Sequence, residues 1–232
     1  AGIDPYRQGK SAYSSSLGSV YIYKRMHAIS GEKYQDMFVA SYCARPDRKE
    51  TWEEQARYLI KYYNARALCE NDEISFIDYM IAKGDAQYLE RQPDWLKEIV
   101  PNTTVRRDYG IHRSSEKIRD FLHGCLKKYT EEVVHAEKDA DGNVTSEIKG
   151  MAKIFDPVLL EEMIQYNETG NFDRIIAAEL AIALAMKLDP IIGKIGGEED
   201  VRIQSMFKKN KKNTLFTESR SMFNTPKNKL FR

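Results

Sequence analysis

The first nine residues read AGIDPYRQG (Ala1–Gly9): a short run of small and apolar residues, a carboxylate at Asp4, then Pro5 and a loop continuing to the serines at 14–16. An apolar run closed by an acid reads as a strand that delivers a side chain to the edge of a sheet. The rest of the chain must then supply that sheet. No Met and no lead-in segment precede Ala1, so the expectation is a domain excised from a longer chain.

Working outward, SVYIYKRM (19–26) and DMFVASYCA (36–44) alternate and are rich in β-branched and aromatic residues. They predict an antiparallel pair joined through a turn at SGEK, 30–33. TWEEQARYLIKYYNA (51–65) sets Trp52, Ala56, Leu59, Ile60 and Tyr63 at helical spacing, and Thr51 with Glu54 has the form of a capping box. RALCE (66–70) is a second short apolar run ending in a carboxylate, Glu70. A helix is predicted over 74–83, stopped by Gly84, and NTTVRR (102–107) has the composition of one more short strand. SSEKIRDFLHGCLKKYTEE (114–132) is amphipathic, with Ile118, Phe121, Leu122, Cys125, Leu126 and Tyr129 on one face. The segment 132–151 carries two polar-alternating runs around Asp141-Gly142, a hairpin signal. Asp156-Pro157 opens a helix with proline in its first turn, and Asn171 is placed to cap the long apolar helix at 172–188. A meander followed by βα units predicts a mixed α/β sheet flanked by helices, with a β-hairpin insertion.

Composition narrows the class. The chain has 232 residues, 42% hydrophobic and 31% charged, enough for one sizeable core. No apolar run approaches the roughly 18 residues that span a bilayer, so no membrane association is expected. Three scattered cysteines without CxxC spacing point to a reducing compartment, and four scattered histidines form no HxxxH or HxH pair. Charge is unevenly placed. Residues 201–232 hold nine basic residues and one acid, a balance of +8, so with +1 overall residues 1–200 carry −7. The domain expectation is a body over 1–192 and a basic tail over 193–232. Such a tail fits a polyanionic partner or simply a solvated end.

Asp4 and Glu70 each close an apolar run. On adjacent parallel strands they would emerge at the same sheet edge, where open α/β sheets place their sites. Asp173 opens the last long helix and is the third acid of the group, with Asp72 and Asp156 as further candidate ligands. Each acid alone also fits an ordinary role: Asp4 in an Asp-Pro turn, Glu70 in a solvated loop, Asp173 on a helix dipole. Three carboxylates converging on one point would repel unless cations neutralised them. Such a cluster suits two Mg²⁺ or Mn²⁺ ions, about 3.5–4 Å apart, in phosphodiester hydrolysis.

GIDPYRQG, ALCEND and IFDPVLLEEMIQYNETGNFDRIIAAELAIALA together resemble the three acidic regions in the nuclease domain of a tailed-bacteriophage terminase large subunit, a member of the RNase H-like (retroviral integrase) superfamily. SSEKIRDFLHGCL, with Lys117, resembles that family's basic helix before the hairpin. The likeness covers roughly residues 1–190. It implies an RNase H-like fold and a metal-dependent DNA endonuclease that cuts concatemeric viral DNA during packaging, with Asp4, Glu70 and Asp173 as catalytic and metal-binding residues. It also implies double-stranded DNA, a portal protein and a small terminase subunit as partners, an ATPase domain in the same full-length chain, and residence in the cytoplasm of an infected bacterium rather than the mature virion. One departure stands out: many members carry two acids at the third region, where this chain has Phe172-Asp173.

A DNA nuclease needs cations beside its metals. Arg7, Arg113 and Lys117 are the foremost candidates for DNA binding, ahead of Arg106, Arg107, Lys127 and Lys128. The hairpin, polar and acidic, suits a gate or a protein contact better than a DNA clamp. Two other classes compete: a nuclease of the Holliday-junction resolvase or transposase type, and a non-catalytic RNase H-like module that binds DNA or the portal.

Overall fold

In the computed structural model, residues 1–6, 16–25, 36–100, 108–139, 142–167 and 170–188 are described. Arg7, the whole of NTTVRR with Arg106 and Arg107, the SGEK turn and the basic tail lie outside them. The residues Ala1–Lys187 form one compact unit.

Four strands make the main sheet: β1 (Gly2–Asp4), β2 (Gly18–Lys24), β3 (Met37–Ala44) and β4 (Leu68–Cys69). Their order is β3-β2-β1-β4, antiparallel across the first three and parallel between β1 and β4. The predicted parallel neighbours are therefore present, and the sheet is mixed. Beyond β4 its edge is continued by single bridges, Ala67 to Leu89 and Glu70 to Ile111. Gly110 makes the second approach possible: its φ is +78°, and a Cβ would press on the Cys69 carbonyl at 2.5 Å.

Period-two alternation sorts the side chains onto two faces. One face carries Ile3, Val20, Ile22, Ala67 and Cys69 against α1 (Lys49–Tyr62) and α2 (Ser75–Ala82). Trp52, fully buried, sits at the centre of that core, edge-on to Tyr6 and Phe76. The other face carries Gly2, Asp4, Tyr21, Leu68 and Glu70, and against it lie α4 (Glu116–Glu131), α5 (Pro157–Gln165) and α6 (Asp173–Leu188). A short helix, α3 (Trp95–Ile99), packs Trp95 on Phe121 of α4. Three layers result, helices on both faces of one sheet.

Helix α6 is buried on nearly every side from Ile175 to Ala185, as a helix apolar all round must be. Gly2 fixes how closely it approaches, because a Cβ there would overlap the Ala177 carbonyl and the Ala181 amide. The hairpin forms as expected from β5 (Val133–Lys138) and β6 (Val144–Lys149), with Gly142 at φ +85°. Every residue of β6 is exposed, so this ribbon adds nothing to the core. No helix among the described residues is long and apolar enough to cross a membrane.

Two local expectations are corrected. Helix α1 starts at Lys49, two residues before Thr51, and no side chain caps it. The Thr51 amide already bonds the Arg48 carbonyl (3.1 Å), while the Lys49 ammonium pairs with Glu73 at 3.0 Å and anchors the first turn. Asn171 does not cap α6: its amide nitrogen donates to the Asp173 carboxylate at 3.0 Å, and the Phe172 carbonyl takes the first helical bond from Ile176.

Candidate metal centre

The Glu70 amide donates to the Ile3 carbonyl at 2.8 Å, which locks the end of β4 one residue ahead of the end of β1. Asp4 and Glu70 then leave the sheet side by side, on the face that α6 covers. The two carboxyl groups are close enough for each to shift the pKa of the other. Asp4 is 7% exposed, and its Oδ2 has no donor among the described residues. Burial first, then the Glu70 charge and the more distant Asp173 charge, push the Asp4 pKa well above its ordinary value. Burial raises Glu70 too, aided by the Asp72 and Asp173 charges and opposed by Asp4 and Arg113. Two buried carboxyls facing one another need a proton or a cation between them.

Asp173, in the first turn of α6, is also 7% exposed. It accepts hydrogen bonds from the Leu17 amide (2.6 Å), Asn171 Nδ2 (3.0 Å) and Ser16 Oγ (3.4 Å). Burial raises its pKa against those three donors. Asp173 thus stands within electrostatic reach of the acid pair while tying the start of α6 to the residues that lead into β2. No group of three or more His, Cys, Asp or Glu side chains among the described residues has the arrangement of a metal cage. The donor set that fits a divalent cation is the Asp4–Glu70 pair, with an orphaned buried oxygen and a hard, anionic character.

The other acids separate. Asp72 pairs with His112 and contributes its charge to Glu70 from the loop after β4. Asp156, one of the further candidate ligands, caps α5. Its carboxylate accepts from the Val158 and Leu159 amides, from Tyr21 Oη at 2.5 Å and from Ser41 Oγ at 3.3 Å. Burial works against it, yet those donors hold its pKa below the usual carboxylate range.

The cations separate as well. Arg7 lies outside the described residues, and Lys117 is exposed on α4. Arg113, a candidate DNA-binding residue, is 8% exposed and turned into the fold. Its Nη2 donates to Glu179 Oε2 at 2.8 Å, and its charge opposes the raised pKa values of both Asp4 and Glu70. Glu179, fully buried on α6, also meets His123 Nδ1 at 3.2 Å. The sequence reading missed Glu179, although a signal was there. It is the one charged residue between Arg174 and Lys187 in an otherwise apolar helix, and a lone acid in such a run requires a buried partner.

No family model, curated protein or solved structure matches this chain.

Proposed function

We propose that this chain is a divalent-metal-dependent DNA endonuclease of the RNase H-like type, the nuclease domain of a viral packaging motor. One observation supports the reading: Asp4 and Glu70 end adjacent parallel strands side by side, and Asp173, in the first turn of α6, is near enough for its charge to act on both. This is the placement implied for the first, second and third acidic regions of a terminase large subunit. Asp4 and Glu70 would hold the cation, Mg²⁺ or Mn²⁺, with Asp173 positioned for a second. When bound, such ions activate water and stabilise the leaving oxygen of a phosphodiester.

The chain's own residues set the conditions for that chemistry. Burial and mutual repulsion favour the protonated form of Asp4, so a cation at the pair would compete with that proton. Arg113 moderates the repulsion without leaving the interior. Asp173 Oδ1, which among the described residues accepts only the 3.4 Å bond from Ser16 Oγ, is the oxygen that could serve as a ligand. Lys117 on α4 is available to phosphates. Double-stranded DNA, a portal, a small terminase subunit and the ATPase half of a longer chain are the partners this reading implies, in the cytoplasm of an infected bacterium.

The engaged Asp173 favours a second reading, a DNA- or portal-binding module in which that carboxylate only fastens a loop. Digestion of supercoiled plasmid in Mn²⁺, in Mg²⁺ and in EDTA separates them. Nicking and linearisation that appear with either metal and vanish in EDTA support the nuclease. Intact plasmid under all three conditions, with DNA still bound, supports the module.

A further inference from the structure

Behind the acid pair a line of charged groups runs outward to solvent. Arg113 stands two residues beyond Ile111, which bridges Glu70 at the sheet edge, and is gripped by Glu179 at 2.8 Å; its charge favours the ionised forms of Asp4 and Glu70. The second oxygen of Glu179 meets His123 at 3.2 Å. The His123 side chain is 43% exposed, stacked on Tyr166 with ring centroids 4.7 Å apart, and forms part of the wall of a cavity of about 430 Å³ between α4, α5 and α6. Glu179 and Arg113 are the buried middle of this line. His123 is the end that protons can reach.

We infer that Arg113 and Glu179 are positioning residues for the acid pair and that His123 is their ionisable outer end, so that cation occupancy at Asp4–Glu70 and protonation of His123 oppose one another. This rests on the reading of Asp4 and Glu70 as a cation site. Glu179 is shared. A cation at the acid pair adds positive charge on the Arg113 side, and a proton on His123 adds it on the other. A single buried carboxylate cannot fully compensate both. Coupling of this kind is reciprocal, so each event weakens the other by the same factor.

Among the described residues, the groups facing His123 come from three helices and the connection after α5. Glu179 comes from α6, Asp120 and Lys127 from its own helix α4, and Tyr166 from the connection after α5, while α5 itself offers Leu160, Met163 and Ile164 to the cavity. The Glu179 hydrogen bond holds the imidazole pKa above 6.5, against burial.

The experiment is an NMR titration of the His123 imidazole in the full chain, with and without saturating Mg²⁺ at matched ionic strength. The carboxyl signals of Asp4 and Glu70 are followed in the same samples. Mg²⁺ should lower the His123 pKa by about half a pH unit, equivalent to a roughly threefold loss of Mg²⁺ affinity on protonation. Asp4→Asn should remove that response. Perturbed acid signals with an unmoved His123 would overturn the coupling alone. An equal shift in Asp4→Asn would overturn it too, by assigning the effect to diffuse ions. Acid signals that ignore Mg²⁺ would overturn both the coupling and the metal site beneath it.

Discussion

Asp4 and Glu70 lie 66 positions apart in the chain and leave adjacent parallel strands side by side at the edge of the sheet, where burial and mutual repulsion raise the pKa of Asp4 well above its ordinary value. This arrangement costs stability rather than supplying it. Folding raises the Asp4 pKa above its unfolded value of 3.8, so the native state binds more protons than the unfolded state above that pH. Stability therefore falls as pH rises from about 4 through the native pKa, and levels off beyond it. Asp4→Asn, neutral at every pH, should raise Tm by a few degrees at about pH 8. The gain should disappear towards about pH 4. Thermal melts of the two proteins across that range, in EDTA, check the sign.

Gly2→Ala tests how the site is assembled. The added methyl collides with the backbone of α6 at Ala177 and Ala181, not with a side chain that can turn away. A loss of about 3 kcal/mol is expected in urea denaturation. The start of α6 should also move off β1, carrying Asp173 from the acid pair, so any metal-dependent cutting should fall further than stability alone explains.

Arg113 and Glu179 make a buried pair whose halves cannot be removed singly. Arg113→Met should cost about 3–5 kcal/mol by stranding Glu179, whereas Arg113→Met with Glu179→Leu should recover most of that loss. Equilibrium unfolding of both variants checks the order. A double change at least as costly as Arg113→Met alone would contradict the prediction, because removing Glu179 would then recover nothing.

Asp156 offers a contrast within the acids. Asp156→Ala removes a helix cap and the acceptor for Tyr21 Oη together, a loss on the order of 2–3 kcal/mol. Plasmid cutting by the folded variant should match the wild type, because this carboxylate belongs to α5 and not to the metal centre.

Much of this was legible in the sequence because it is local. Alternation at 19–26 and 36–44, the Asp156-Pro157 start of α5 and the Asp-Gly hairpin all report on neighbours in the chain. The parallel placement of β1 and β4 was also inferable, since two short apolar runs each ended in an acid. What could not be read was the partner of each charge. Arg113 looked like a DNA-facing cation because nothing near it in sequence shows that it is buried against Glu179, 66 positions away. Asp156 looked like a ligand for the same reason: Tyr21 and Ser41, which hold it, lie in distant strands. Thr51 and Glu54 matched a capping box, but the Lys49–Glu73 pair starts α1 earlier.

The central claim is that the Asp4–Glu70 pair holds a divalent cation, and calorimetric titration of Mn²⁺ into the full chain tests it most directly. At about pH 7.5 the wild type should bind Mn²⁺ and release protons on doing so. Asp4→Asn and Glu70→Gln, each verified as folded, should lose at least about tenfold in affinity, because each removes an anionic oxygen ligand and half of the pair. Mn²⁺ binding to both variants with wild-type affinity and the same proton release would contradict the account.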